Sequence, residues 1–158
     1  MSRFRASEKG IAVNLEPTEW TVLARLTTLL GSAGVEKGDP ARGRLNPVLY
    51  PDDAGASREF ERLTAKESAE LRSFDRERFS ESVRAATGGT IVLASDGAAS
   101  WARVLAESRI VLAARRGLFE TGMSGEQSSD PEIALIALLG GFQEELVAEM
   151  IDMIGKTE

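Results

Sequence analysis

The N-terminal segment alternates between apolar and other side chains with the period of a half-buried strand. The alternation runs through residues 11–15, Ile-Ala-Val-Asn-Leu, and a period of two is typical of a strand with one buried face. Lys9-Gly10 supplies a turn, since glycine adopts positive φ at no steric cost. We therefore predict a β-hairpin over residues 4–15. A short β-prone run at residues 90–93 predicts a third strand beside it.

Further along, apolar residues recur every three or four positions, which is the period of an amphipathic helix. The first helix starts at Pro17 and should end at Gly31 or Gly34, because glycine is common after the last helical turn. Its apolar stripe is Trp20, Leu23, Leu26, Thr27 and Leu30. A short helix over residues 39–45 opens at Asp-Pro and should stop before Pro47.

The middle of the chain is polar and reads as two helices. Residues 50–55 contain proline, two aspartates and glycine, which predicts a turn and a loop. A short helix should follow around residues 60–63. Thr64 with Glu67 has the spacing of a capping box. We therefore predict a new, highly charged helix from Thr64, closed by Gly88-Gly89.

Two more helices should complete the fold. One should run from about Ala98 to Arg116, capped by Ser95 or Asp96. Its apolar face is Trp101, Val104, Leu105, Ser108, Val111 and Leu112. Residues 118–130 are rich in glycine and serine and predict a surface loop. The last helix begins at Asp130-Pro131, and it is apolar nearly all round from residue 133 to 142, as in a helix central to a core.

Gly140-Gly141 lies inside that last helix, where each glycine costs about 1 kcal/mol relative to alanine. We expect the close approach of another helix or strand to compensate for this cost. Together the elements predict an α+β fold, predominantly helical, as a bundle of about four to five helices with a small N-terminal hairpin and a third strand.

Composition narrows the class of protein. The chain has 158 residues, 42% of them hydrophobic and 28% charged, which fits one globular domain over residues 1–158. Residues 1–10 contain no apolar stretch of the kind found in a signal peptide. The longest apolar run, residues 133–142, is far below the ~20 residues of a membrane span. We expect a cytoplasmic protein that does not enter a membrane.

The residue types that are missing exclude several chemistries. The chain contains no cysteine and no histidine, so disulfides, thiolate chemistry, serine–histidine pairs and histidine-bound zinc are excluded. The net charge of −6 disfavours nucleic acid, because it repels a phosphate backbone. No glycine-rich phosphate-binding fingerprint is present.

Two acidic pairs are candidates for chemistry. Asp52-Asp53 could hold Mg²⁺ or Ca²⁺ in a loop, but aspartates are also ordinary turn and cap residues, which is the interpretation we favour. Glu144-Glu145 lies in the most apolar helix, where a buried glutamate could transfer protons. We favour the alternative that Glu145, Glu149 and Asp152 mark a solvent-facing stripe.

Arg109 could bind an anion, or it could pair with a carboxylate across a helix interface, which we favour. Arg115-Arg116 at the end of the same helix complements the helix dipole. Ser100, Ser108 and Tyr50 offer hydroxyl groups, but no histidine is present to activate them. We therefore assign no catalytic, cofactor-binding or metal-ligating residue and expect no cofactor.

Several segments carry a resemblance to a known family. They are residues 44–53 (RLNPVLYPDD), 59–64 (EFERLT), 101–112 (WARVLAESRIVL) and 139–147 (LGGFQEELV). Together with the hairpin and the proline-started helix, they resemble an actinobacterial domain-of-unknown-function family, numbered two thousand and seventeen. The resemblance implies no activity and no site residue. Members are often encoded beside the adaptor of the Clp protease, and some carry a transcription-regulator label.

The leading hypothesis is a non-catalytic interaction or regulatory protein with another protein as its partner, linked to Clp-type proteolysis. A homo-oligomer remains open. The alternatives are a DNA-associated transcriptional regulator and an enzyme that uses carboxylates and a divalent metal.

Overall fold

A computed structural model describes residues 2–31, 38–45, 52–87, 89–121 and 130–156. In chain order the elements are β1 (Phe4–Ser7), β2 (Gly10–Val13), α1 (Pro17–Gly31), α2 (Ala41–Leu45), α3 (Ala54–Ala86), β3 (Ile91–Leu93), α4 (Ser95–Arg115), α5 (Leu118–Thr121) and α6 (Pro131–Lys156). The predicted class, a mainly helical α+β fold with an N-terminal hairpin and a third strand, is confirmed.

The three strands form one antiparallel sheet in the order β1-β2-β3. Phe4 pairs with Val13, and Ile11 pairs with Leu93. Gly10 has φ of +138°, and a Cβ there would lie 2.2 Å from the carbonyl oxygen of Leu93. Glycine is therefore required at this position both for the backbone conformation and for the approach of β3.

Two glutamates of α6 attach that helix to the edge strand β1. The backbone N–H of Ala6 donates to Oε2 of Glu149 over 2.9 Å. Arg3 donates to Glu145 at 3.2 Å and to Glu19 at 2.7 Å. These contacts cover part of an exposed sheet edge. The sequence predicts only a solvent-facing stripe for Glu145 and Glu149. In the structure these two glutamates also hold α6 against the N-terminal strand.

Trp101 lies at the centre of the main hydrophobic core and is fully buried. Its indole ring meets three other rings edge-on, with centroid distances of 4.9 Å to Phe79, 6.2 Å to Trp20 and 6.5 Å to Phe4. Edge-on contacts suit the quadrupoles of aromatic rings. The sheet, α1, α3 and α4 thus all meet at this residue, in agreement with the apolar face predicted for α4.

The predicted division of the middle segment into two helices is wrong. α3 is continuous from Ala54 to Ala86, and no proline interrupts it. Thr64 does not cap a helix, because its hydroxyl donates to the carbonyl oxygen of Phe60 at 2.8 Å, inside the helix. The cap is Asp53, whose carboxylate accepts from the N–H of Ala56 at 3.0 Å.

Two predicted boundaries also differ from the structure. α4 begins at Ser95, before the predicted Ala98, and its N-cap is Ala94, without a side-chain hydrogen bond. Residues 118–121 form the short helix α5 rather than a loop, because Leu118 packs on Ile133 and Ile136. The rest of that predicted loop, residues 122–129, lies outside the described residues, as do Gly34, Pro47, Tyr50 and Gly88.

α6 packs along α4 with one buried face rather than being enclosed on all sides. Its buried residues are Ile133, Ile136, Leu139, Phe142 and Leu146. Ala134 and Ala137, on the other side, are exposed. The small size of these alanines explains why an almost uniformly apolar segment can still present a surface to water.

Candidate functional site

The first half of α3 carries a row of exposed apolar side chains. Leu63 is 62% exposed, Phe74 53%, Leu71 50% and Phe60 39%. By contrast, every buried residue of α3 lies at or after Asp75. We call these four residues the α3 stripe. A soluble protein rarely exposes several large apolar side chains together without a binding role.

The spacing of the α3 stripe places its members on one face of the helix. Phe60 and Leu71 are eleven residues apart, and so are Leu63 and Phe74. At about 100° per residue the four positions fall within an arc of about 80°, and they extend over about 21 Å of helix. An eleven-residue repeat keeps side chains aligned along a helix. The stripe is therefore continuous rather than a set of scattered exposures.

The second half of α3 is held on α4 by a buried carboxylate. Asp75 is 3% exposed and accepts hydrogen bonds from Nε and Nη2 of Arg103, at 2.7 and 2.9 Å, and from the hydroxyl of Ser100 at 2.8 Å. Burial alone would raise the pKa of Asp75. The hydrogen bonds and positive charge of Arg103, with Ser100 and the charge of Arg78, outweigh burial and hold the pKa below its ordinary value.

Further ion pairs fix the crossing of α3 and α4. Arg76 forms a largely buried ion pair with Glu107, and Arg78 donates to Asp96 at 2.7 Å. The Arg78 guanidinium also holds the pKa of Asp96 below its ordinary value. Charged pairs of this kind orient a helix contact because they are directional. The second half of α3, which makes this contact, contains all the buried residues of the helix.

The exposed half of α3 has its own local stabilisation. Arg62 pairs with Glu59 at 2.6 Å, and Lys66 lies 4.0 Å from Glu70. Such exposed pairs stabilise a helix only weakly, and most helical stability in proteins comes from tertiary packing. The anchored second half therefore supplies most of the order of the first half.

Arg109 lies on the flank between α4 and α6. Among the described residues it binds an amide and no carboxylate, so the ion pair that the sequence predicts across this helix interface is not found. Nη1 of Arg109 donates to Oε1 of Gln143 at 2.9 Å. The rest of the guanidinium lies over Gly140, where a Cβ would be 3.2 Å from Cζ. The predicted close approach at Gly140 is therefore confirmed, although a side chain makes it.

One member of each acidic pair found in the sequence has a structural role. Asp53 caps α3, and Asp52 next to it is exposed. Glu145 binds Arg3, whereas Glu144 is exposed beside a cavity on α6. Within residues 2–31, 38–45, 52–87, 89–121 and 130–156, no three acidic side chains are grouped closely enough to hold a metal ion.

The remaining candidates are engaged in the fold. Arg115 pairs with Asp39 at 2.8 Å, and Arg116 pairs with Asp130. Ser100 donates to Asp75, and Ser108 donates to the carbonyl oxygen of Val104 at 2.7 Å. Tyr50 lies outside the described residues. The structure thus brings Ser100 to a carboxylate but does not unite the candidates in one site.

Sequence reasoning missed the α3 stripe. The signal was present, because the eleven-residue spacing of Phe60 with Leu71 and of Leu63 with Phe74 can be read from the sequence. The capping-box spacing at Thr64 predicts a helix boundary there, which assigns Phe60 and Leu63 to a different helix from Leu71 and Phe74.

The fold and the exposed stripe define a mainly helical α+β protein with one extended helix and a small antiparallel sheet. In the part of the chain that the structure describes, no helix is both long enough and apolar enough to cross a membrane.

The family model "Domain of unknown function (DUF2017)" matches residues 1–150, so the chain belongs to that family. This agrees with the family resemblance found in the sequence. No curated protein and no solved structure shows a significant match to the chain.

Proposed function

We propose that this protein is a non-catalytic interaction protein and that the α3 stripe is its contact surface. The observation that carries this proposal is the exposure of Leu63, Leu71 and Phe74 on one face of α3. Amphipathic helices commonly bind by placing apolar anchors, at helical spacing, in a groove or against another helix.

The charge pattern of the stripe indicates the kind of partner. Glu67 is exposed and lies midway between Leu63 and Leu71, and also midway between Phe60 and Phe74. A second copy paired in register about that midpoint would place Glu67 against Glu67, and like charges in contact are unfavourable. A different protein with an apolar helix or groove and a central lysine or arginine fits the stripe better.

We further propose that the partner belongs to the Clp proteolytic machinery and that the protein acts in an actinobacterial cytoplasm. Support for these points comes from the family resemblance, which implies gene neighbourhood with the Clp adaptor. The contact surface itself is argued from the geometry of α3 and does not depend on them.

The test is affinity capture from the native cytosol with three tagged chains, followed by direct binding with purified partners. The wild-type chain is compared with a Leu63→Asp/Phe74→Asp variant and with Ala69→Asp, whose side chain lies on the opposite, exposed face of α3. A protein bound by wild type and Ala69→Asp but lost with the double variant is expected. Identical captures by all three chains would contradict the proposal.

Glu67→Lys provides a second measurement on the purified pair. Reversing this charge should weaken binding at least about tenfold, and the loss should shrink at high salt. Sedimentation of the free protein tests whether a second copy of the chain, rather than a different protein, covers the α3 stripe. Dimers that dissociate in the Leu63→Asp/Phe74→Asp variant would show that a second copy covers the stripe.

A further inference from the structure

Arg109 is held in a defined position on the surface between α4 and α6. Atoms Cζ and Nη2 of its guanidinium would both lie 3.2 Å from a Cβ on Gly140, and Nε would lie 3.3 Å away. A side chain at this position would require the guanidinium to shift by a few tenths of an ångström. The hydrogen bond from Nη1 to Gln143 then fixes its orientation.

The charge of this guanidinium is not neutralised by the described part of the chain. Other arginines of the same helix bind carboxylates, as in Arg103 with Asp75 and Arg115 with Asp39. Among the described residues, Arg109 binds the neutral amide of Gln143. Arg109 and Glu144 border the same cavity but form no ion pair with each other. An amide orients a guanidinium but leaves its positive charge available to an anion.

An apolar groove begins at the guanidinium. It has a volume of about 430 Å³ and lies between α4, α5 and α6. Ile110, Leu118, Phe119 and Ile136 form its apolar lining, and Arg109 and Gln143 stand at its polar end. This volume is within the ~300–1,000 Å³ typical of small-molecule sites, which combine apolar walls with a few oriented polar groups.

We propose that this groove binds a small amphiphilic carboxylate, such as a medium-chain fatty acid, and this site is separate from the α3 stripe. The carboxylate pairs with Arg109, and the apolar tail lies along Ile110, Phe119 and Ile136. A planar carboxylate matches one planar guanidinium. Arg109 is the one cationic residue among the described residues that line the groove, whereas a phosphate dianion would need more cationic groups.

Titration with octanoate, below its micelle concentration, tests the site by calorimetry and by NMR shifts of backbone amides. Saturable binding is expected, with shifts confined to α4, α5 and α6. Octanol, which has the same tail without the charge, should bind at least about tenfold more weakly. No saturable binding of octanoate would overturn the proposal.

Arg109→Gln should reduce octanoate affinity about tenfold and leave octanol affinity unchanged, which separates the charge from the tail. Arg25→Gln, an exposed arginine on α1, is the matched control and should bind like wild type. Ala113→Trp should fill the groove and reduce the affinity of both ligands. Circular dichroism confirms that each variant is folded.

Equal affinities for octanoate and octanol, with no effect of Arg109→Gln, would show that the groove is an unselective apolar surface. That result would contradict the proposed carboxylate site. The Leu63→Asp/Phe74→Asp variant should retain octanoate binding. Failure of the proposed partner contact and failure of this site are therefore distinguishable.

Discussion

Gly140 and Gly141 are neighbours in sequence but have different surroundings. A Cβ on Gly140 would touch the guanidinium of Arg109, whereas a Cβ on Gly141 would meet no described atom within 4 Å. The predicted close approach is thus confirmed at Gly140 and wrong at Gly141. A helix turns by about 100° per residue, so one of two adjacent glycines faces the neighbouring side chain and the other faces open space. The sequence does not show which.

Alanine substitution should separate the two glycines. Gly141→Ala should stabilise the protein by about 0.5–1 kcal/mol, because alanine favours the helix and its methyl group meets open space. Gly140→Ala should gain less or lose stability, because the methyl group displaces Arg109. Urea unfolding followed by circular dichroism measures both free energies of unfolding.

The control for this comparison is a double-mutant cycle with Arg109→Ala. Without the guanidinium, Gly140→Ala and Gly141→Ala should stabilise the protein equally, and the coupling energy isolates the contact between Arg109 and Gly140. Equal stabilisation already in the wild-type background would show that this contact is absent in solution.

At the scale of elements, α3 shows why local signals can mislead. Thr64 and Glu67 have the spacing of a capping box, but threonine inside a helix can also donate to the carbonyl four residues earlier, as it does to Phe60. The two outcomes have the same sequence pattern. What decides between them is the anchoring of residues 75–86 on α4, which stabilises the whole helix, and this tertiary contact has no local signature.

The Asp75–Arg103 contact is the part of that anchor with a pH signature. Asp75→Asn should destabilise the protein by about 1–3 kcal/mol at pH 7, because it removes the buried negative charge and leaves one oxygen instead of two to accept from Arg103 and Ser100. Ser100→Ala removes one donor and should cost less, about 0.5–1.5 kcal/mol. Urea unfolding at pH 7 gives both values.

The sign of the pH dependence follows from the lowered pKa of Asp75 in the folded state. The folded form holds this proton less tightly than the unfolded form, so the stabilisation is complete above the ordinary aspartate pKa of about 4. It is lost as the pH falls through the lower, folded pKa. The stability gap between wild type and Asp75→Asn should therefore shrink below about pH 4. A gap that stays constant down to pH 2 would indicate that packing causes it.

At the scale of the whole molecule, the sequence predicted what depends on periodicity and missed what depends on long-range contacts. The hairpin, the third strand, α1, α2 and the apolar face around Trp101 follow from local spacing. The role of Glu149 on the edge of β1 does not, because the two residues that meet are 143 positions apart. The exposure of the α3 stripe is also a long-range property, since local spacing predicts an apolar helical face but not how much of that face other elements cover.

Ion pairing within the protein determines whether the basic residues are available to bind nucleic acid. Closely spaced arginines occur at Arg3/Arg5, Arg42/Arg44 and Arg115/Arg116. Arg3 is bound by Glu19 and Glu145, Arg115 by Asp39, and Arg116 by Asp130. The guanidinium of Arg44 lies 4.1 Å from the ring centre of Phe119. DNA would have to compete with these partners and with a net charge of −6.

We therefore predict no duplex binding tighter than about 10 μM at ~150 mM salt, measured by gel shift with genomic fragments. Asp39→Asn/Asp130→Asn is the informative comparison, since asparagine keeps both helix caps and removes the two carboxylate charges that face Arg115 and Arg116. This variant should gain weak binding that does not depend on sequence and that falls steeply with added salt, because two negative charges that repel phosphates are gone. Sub-micromolar, sequence-dependent shifts by the wild-type protein would instead make a DNA-associated regulator the better proposal.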